Sequence, residues 1–167
     1  MTAPRPSLAR ALGYTFAATL IFLAALVAAF GMISLFSDEE VIDIPGAGPL
    51  LGPLAALMAA LIFALAALRS LHRDTGSEPA RVPSRIAAGI ALGLLIWVAY
   101  AATIGAGQLL AAGTLAAGTD AALHALLRPF SLTAGVLAAL ILPSLLALSA
   151  AAGRGHTPTR WHWEEDS

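Results

Sequence analysis

Four long stretches without a charged side chain divide this sequence, at residues 11–36, 50–68, 86–119 and 129–153. Crossing a hydrocarbon layer of about 30 Å takes around 20 helical residues, so each stretch is long enough to span a bilayer. In lipid the backbone must satisfy its own hydrogen bonds, which leaves helices or a closed barrel. A barrel strand alternates apolar and polar residues over about ten positions. The run Leu20-Ile21-Phe22-Leu23-Ala24-Ala25-Leu26-Val27 does not alternate. Helices are expected.

Composition agrees. The 167 residues are 59% hydrophobic and 11% charged, with a mean hydropathy of +0.83. A soluble domain carries about 25% charged residues, enough to cover its core with polar surface. The third stretch is too long for one upright span, and its membrane part should end near Ala112, where Gly113 and Gly118 interrupt the pattern. The fold expected is therefore all-α: a polytopic membrane protein built as a bundle of four transmembrane helices with a short outer amphipathic helix. The helices are expected at about 10–36, 50–72, 85–112 and 129–152, in a single membrane domain over 1–167 with a short cytoplasmic tail at 153–167. Arg5 and Arg10 precede the first apolar run as in a signal peptide, but the run far exceeds an h-region of roughly 7–15 residues, so it reads as a retained helix.

Arginine placement gives the orientation. Eight of the nine basic residues (Arg5, Arg10, Arg69, Arg73, Arg81, Arg85, Arg154 and Arg160) fall beside the termini or the loop between helices 2 and 3. Only Arg128 falls on the other side. Basic residues stay on the cytoplasmic side, so both termini are expected there, in a multi-pass protein of a bacterial inner membrane. The linker 74–84, with Gly76, Pro79 and Pro83, is then an irregular cytoplasmic turn.

Several function classes lose support at this stage. A formal net charge of −1 offers nothing to a nucleic acid. The absence of cysteine removes disulfides, thiolate metal sites and cysteine nucleophiles. None of the four spans contains an ionisable group at membrane depth, which argues against a proton-coupled transporter. No cofactor is implied.

The segments between the spans hold the remaining chemistry. Asp38, Glu39, Glu40 and Asp43 could offer oxygens to a divalent cation, but they lack the spacing and turn glycine of an EF-hand and read as a solvated loop. The glycines of Ile44-Pro45-Gly46-Ala47-Gly48-Pro49-Leu50-Leu51-Gly52-Pro53 lack the preceding strand of a phosphate-binding loop; a rigid turn with Pro49 or Pro53 opening helix 2 fits better. Thr119 to Leu127 reads as a short interfacial helix capped by Thr119 or Asp120. Its polar face carries Asp120, His124 and Arg128 at four-residue spacing, with Leu123, Leu126 and Leu127 towards lipid or the bundle.

Inside the spans, Gly89 and Gly93 form a small-xxx-small pair on helix 3, extended by Ala87, Ala91, Gly105 and Gly107. Such pairs let backbones approach closely, and packing within the bundle is preferred here over dimerisation. Gln108 is the most polar side chain in any span, and Pro143 should bend helix 4. In the tail, Trp161 and Trp163 suit either the headgroup region or a partner protein, whereas His156 and His162 are too few for a metal site.

The stretch from Phe30 through Asp43-Ile44-Pro45-Gly46-Ala47-Gly48-Pro49-Leu50-Leu51-Gly52-Pro53, with the closing Arg160-Trp161-His162-Trp163-Glu164, resembles small, uncharacterised four-helix membrane proteins of actinobacteria. The resemblance covers nearly the whole chain. It implies a compartment and a topology and transfers no catalytic or binding residue. The function expected is a non-enzymatic accessory or scaffold subunit whose partners are the lipid bilayer and either a membrane protein or a second copy. The alternative is a small channel or carrier subunit with a path lined by Thr15, Thr19, Thr103, Gln108 and Ser144. An enzyme acting on lipids has only Asp120 and His124 as a foothold.

Overall fold

The computed structural model describes residues 8–37, 50–73 and 82–154. Five helices account for them: α1 (Leu8–Ser37), α2 (Leu51–Arg73), α3 (Val82–Ala112), α4 (Leu115–Leu127) and α5 (Pro129–Arg154). All but α4 are long and apolar enough to cross a membrane, as expected of a multi-pass membrane protein. Large apolar side chains such as Ile21, Val27, Leu61, Leu94 and Leu140 are more than half exposed on the bundle surface. So much apolar exposure on a monomer is a surface made for lipid.

The long helices form a ring in the order α1, α2, α3, α5, with α5 back against α1; α1 and α3 stand opposite one another and meet through the rings of Phe30 and Tyr100. At one end of the bundle lie the start of α1, the end of α2, the start of α3 and the end of α5. The described arginines, except Arg128, cluster at this end, which we call the arginine end. The opposite end carries the turn between α3 and α4. Aromatic rings fill the centre. Phe22 of α1 stacks on Phe63 of α2 at 4.7 Å, and Phe30 meets Tyr100 and Phe130 edge-on at 5.9 and 5.2 Å.

Glycine sets the closest contacts. A Cβ built on Gly93 would meet the Gly135 carbonyl oxygen at 2.6 Å, and one on Gly135 would meet the Gly93 carbonyl at 2.7 Å. Gly105 and Gly118 repeat this reciprocal arrangement between α3 and α4, at 2.7 and 2.9 Å. Gly89 faces the Ala139 carbonyl at 2.6 Å. Pro143 sits inside α5 and has no N–H to offer that carbonyl four residues back. At the arginine end, Arg85 of α3 donates from a terminal guanidinium nitrogen to the Leu146 carbonyl of α5 at 3.3 Å.

Two sequence expectations need correction. The short helix begins at Leu115 and is capped by Thr114, whose hydroxyl accepts from the Ala117 N–H at 3.4 Å; neither Thr119 nor Asp120 is the cap. It also does not lie apart from the bundle. Gly113, at φ +70°, closes α3 with its N–H on the Leu109 carbonyl at 2.9 Å, and the chain reverses within two residues. α4 then runs back along α3, because Gly105 and Gly118 have no side chains to hold the helices apart. As for the opening of helix 2, α2 starts at Leu51 with Pro53 in its first turn, where the missing N–H has no intrahelical partner to lose.

These contacts predict a contrast between two glycines. Gly93→Ala forces its methyl group into backbone and should cost about 1–3 kcal/mol. Gly31 has nothing within 4 Å of a built Cβ, so Gly31→Ala should be neutral or gain up to about 1 kcal/mol. Thermal unfolding of the two variants in one detergent measures the difference; equal midpoints would refute the seam.

Candidate functional site

The structure draws attention to the elbow where α4 ends and α5 begins. Ala122 stands beside Gly105, and six residues further on the chain reaches Arg128, the C-cap of α4. At 1.5 Å per residue the elbow lies roughly 9 Å further towards the middle of the bundle than Gly105. A helix therefore stops and another starts alongside the interior of α3. In lipid such a break survives only if its freed carbonyls find donors.

The elbow supplies them. A residue before proline is pushed out of the helical region, and Arg128 is extended at φ −79°, ψ 151° ahead of Pro129. Proline opens α5, where its missing N–H costs nothing. Ser131 is fully buried, and its hydroxyl lies 2.6 Å from the Ala125 carbonyl, 3.1 Å from that of Arg128 and 3.4 Å from that of Leu126. The Leu126 carbonyl also accepts from the Trp97 indole N–H at 3.0 Å. Trp97 falls in register with Gly89, Gly93, Ala101 and Gly105, four residues apart on one face of α3. Small residues let α5 and α4 approach on either side. At the break itself the one large ring in that row reaches across.

The polar face of α4 also runs from this elbow. Arg128 Nε donates to His124 Nε2 at 3.1 Å, one turn back towards the α3–α4 turn, and Asp120 stands one turn further. The Arg128 guanidinium thus reaches from the elbow towards the bundle end that carries the α3–α4 turn. The view of Arg128 as a residue of an outer connection changes accordingly: it marks the inner end of a helix that has turned back.

The other sequence candidates are dispersed. Gly89 and Gly93 lie in the α3–α5 seam. Gln108 borders an open, apolar groove of about 430 Å³ between α2 and α3, where Leu51 packs on Gly107. The hydroxyls of Thr19, Thr103 and Ser144 each donate to the carbonyl four residues back in their own helix, at 2.8 Å, and Ser144 faces outward. Thr15 is buried, and its hydroxyl has no hydrogen-bond partner. These five residues are spread over α1, α3 and α5. Trp161, Trp163, His156, His162 and the acidic cluster at 38–43 lie outside the described residues. Among the described residues no group of three His, Asp or Glu could hold a metal ion.

Sequence reasoning missed Trp97, Ser131 and Tyr100. Tyr100 is 2% exposed, and its hydroxyl has no hydrogen-bond partner. An unsatisfied buried hydroxyl costs about 1–3 kcal/mol, whereas replacing it with hydrogen is near neutral or favourable. Tyr100→Phe should therefore keep or raise the unfolding midpoint. Ser131→Ala removes a donor from the elbow and should lower the midpoint by about 2–4 °C, the shift expected for roughly 1 kcal/mol in a chain of this size. A Tyr100→Phe variant less stable than Ser131→Ala would contradict this reading of both hydroxyls.

No curated protein and no solved structure matches this chain. A family model described as "Family of unknown function (DUF6121)" matches residues 8–167. That match takes in all five helices together with the segments between them. The chain belongs to this family of unknown function.

Proposed function

We propose that this protein is a non-enzymatic accessory or scaffold subunit of a bacterial cytoplasmic membrane, with both termini in the cytoplasm. The observation that carries the reading is the filled interior. Phe22, Phe63, Phe30, Tyr100 and Phe130 occupy the centre of the ring, and the hydroxyls of Thr19, Thr103 and Ser144 donate to their own helices. Among the described residues a single copy thus shows neither a lined path nor converging reactive groups, and its chemistry with other molecules is left to its surface. The cytoplasmic assignment rests on the arginine end, since basic residues are held back during insertion. An actinobacterial source is consistent with a basic set made only of arginine. The partners proposed are the bilayer and a membrane protein or second copy, with Trp161 and Trp163 of the tail as contact residues. Nucleic acid has no place in this reading.

A second reading, a channel or carrier subunit, draws support from the elbow, because broken helices at depth recur in transporters. Its path would run between copies. Liposome flux assays on the purified protein separate the two, since a scaffold passes no solute or ion.

The scaffold reading is tested by mild detergent extraction of a tagged chain at native expression, followed by mass spectrometry. A partner protein or second copy should be retained, and replacing both Trp161 and Trp163 with alanine should reduce its recovery. A monomer without a partner would overturn the proposal. Reporter fusions at each terminus and within 38–43 test sidedness, with cytoplasmic signals expected only at the termini.

A further inference from the structure

From the place of Arg69 on α2, we infer that the arginine end selects anionic phospholipid, with Arg69 holding the headgroup phosphate. The inference deepens the reading of the bilayer as a partner and rests on it. Arg69 is exposed on the bundle, and among the described residues its guanidinium has no hydrogen-bond or ion-pair partner. Arg85, at the same end, differs: it is half-buried and donates to the Leu146 carbonyl of α5.

Height along the bundle separates Arg69 from the other exposed arginine, Arg10. Phe22 stands at the middle of α1 and Phe63 close to the middle of α2, and their rings stack. Arg69 follows Phe63 by six residues, about 9 Å along the helix. A hydrocarbon layer of about 30 Å centred on the spans reaches about 15 Å to either side. The backbone of Arg69 therefore falls inside that layer, and its exposed side chain starts among acyl chains. An arginine so placed lays its apolar stem along the helix and carries its charge outward to the headgroups. The first acceptors on that course are phosphate oxygens, to which a planar guanidinium can donate two parallel hydrogen bonds. Arg10 precedes Phe22 by twelve residues, about 18 Å along α1, and so stands beyond the hydrocarbon.

Charge decides which headgroup fits. The next position on the Arg69 face, four residues on, is again arginine, Arg73. α1 and α3 begin at this end with no acidic residue in their first turns, so their dipoles add to the positive field. Asp120 is the one carboxylate among the described residues, and it lies on α4 in the other half of the bundle. The segments 1–7, 74–81 and 155–167, which adjoin the arginine end, lie outside the described residues and carry Asp74, Glu78, Glu164, Glu165 and Asp166. Even with all of these counted, eight arginines face five carboxylates, an excess of three positive charges. A zwitterionic headgroup brings its own ammonium to such a surface. A phosphodiester without one brings only negative charge.

Lipid choice can be measured directly. The full chain is purified in neutral detergent and offered phosphatidylglycerol and phosphatidylcholine of identical acyl chains in equal amounts. After gel filtration the retained lipids are quantified by mass spectrometry. Phosphatidylglycerol should be retained in excess. Arg69→Gln should lower that excess about fivefold, the equivalent of about 1 kcal/mol for one arginine at an anionic surface. Arg69→Lys keeps the charge and should preserve most of it. In about 1 M salt, where screening acts beyond about 3 Å, Arg10→Gln should have little effect while the loss in Arg69→Gln persists. Equal retention of the two lipids by the unaltered chain, or equal losses in Arg69→Gln and Arg10→Gln at that salt, would overturn the inference. So would displacement of the retained lipid by inorganic phosphate, which would make a free anion the ligand. Unfolding midpoints in lipid-free detergent show whether Arg69→Gln has kept its fold; if it has not, Arg69→Lys and the unaltered chain decide. A chain that stays soluble without detergent would instead contradict the bilayer reading itself.

Discussion

Backbone meets backbone along one face of α3, and the other helices of that side depend on it. At Gly93 and Gly135, and again at Gly105 and Gly118, carbonyl oxygens approach so closely that a methyl group would not fit. Between helices in lipid there is no hydrophobic drive, since the surroundings are as oily as the side chains; close packing and polar contacts must hold them. α3 therefore acts as a rail. α5 packs along the half nearest the arginine end and α4 along the other.

The rail explains how a break between helices beside α3 is tolerated. α4 and α5 lie on the same side of α3 but do not form one helix, because Pro129 forces Arg128 into an extended conformation. The carbonyls freed there would be expensive in lipid, so Ser131 and Trp97 take them up. Trp97 is the only large side chain in a row of small ones, and it stands at the level where the neighbouring helices are discontinuous. Backbone chemistry, packing and side-chain choice thus meet in a single place.

Much of the fold was legible in the sequence. Four uncharged stretches and the demand for internal hydrogen bonds gave the fold class and the four long helices. The polar row Asp120, His124 and Arg128 could be read from its spacing, and its Arg128–His124 contact is present. What could not be read was where that row lies. Nothing local distinguishes a helix resting on a bilayer from one folded back on its neighbour, since both show one polar and one apolar face. The difference is made by Gly105 meeting Gly118 across the hairpin, a pairing between residues on different helices. The same holds for Ser131 and Trp97: each is unremarkable in its own segment and acquires a role only when the break is set beside α3. The aligned register of Gly89, Gly93, Trp97, Ala101 and Gly105 was the one available hint.

The most direct measurement of this arrangement uses the two ends of α4 and exploits the absence of native cysteine. Leu115 and Leu127 are both exposed on the protein, at 70% and 87%. Single cysteines at the two positions can be exposed to a membrane-impermeant maleimide in proteoliposomes of either orientation. A helix that descends along α3 predicts rapid labelling at position 115 and protection at position 127 by lipid alone. Equal labelling would mean that α4 lies at the surface, and the rail, the elbow and the buried break would fall together.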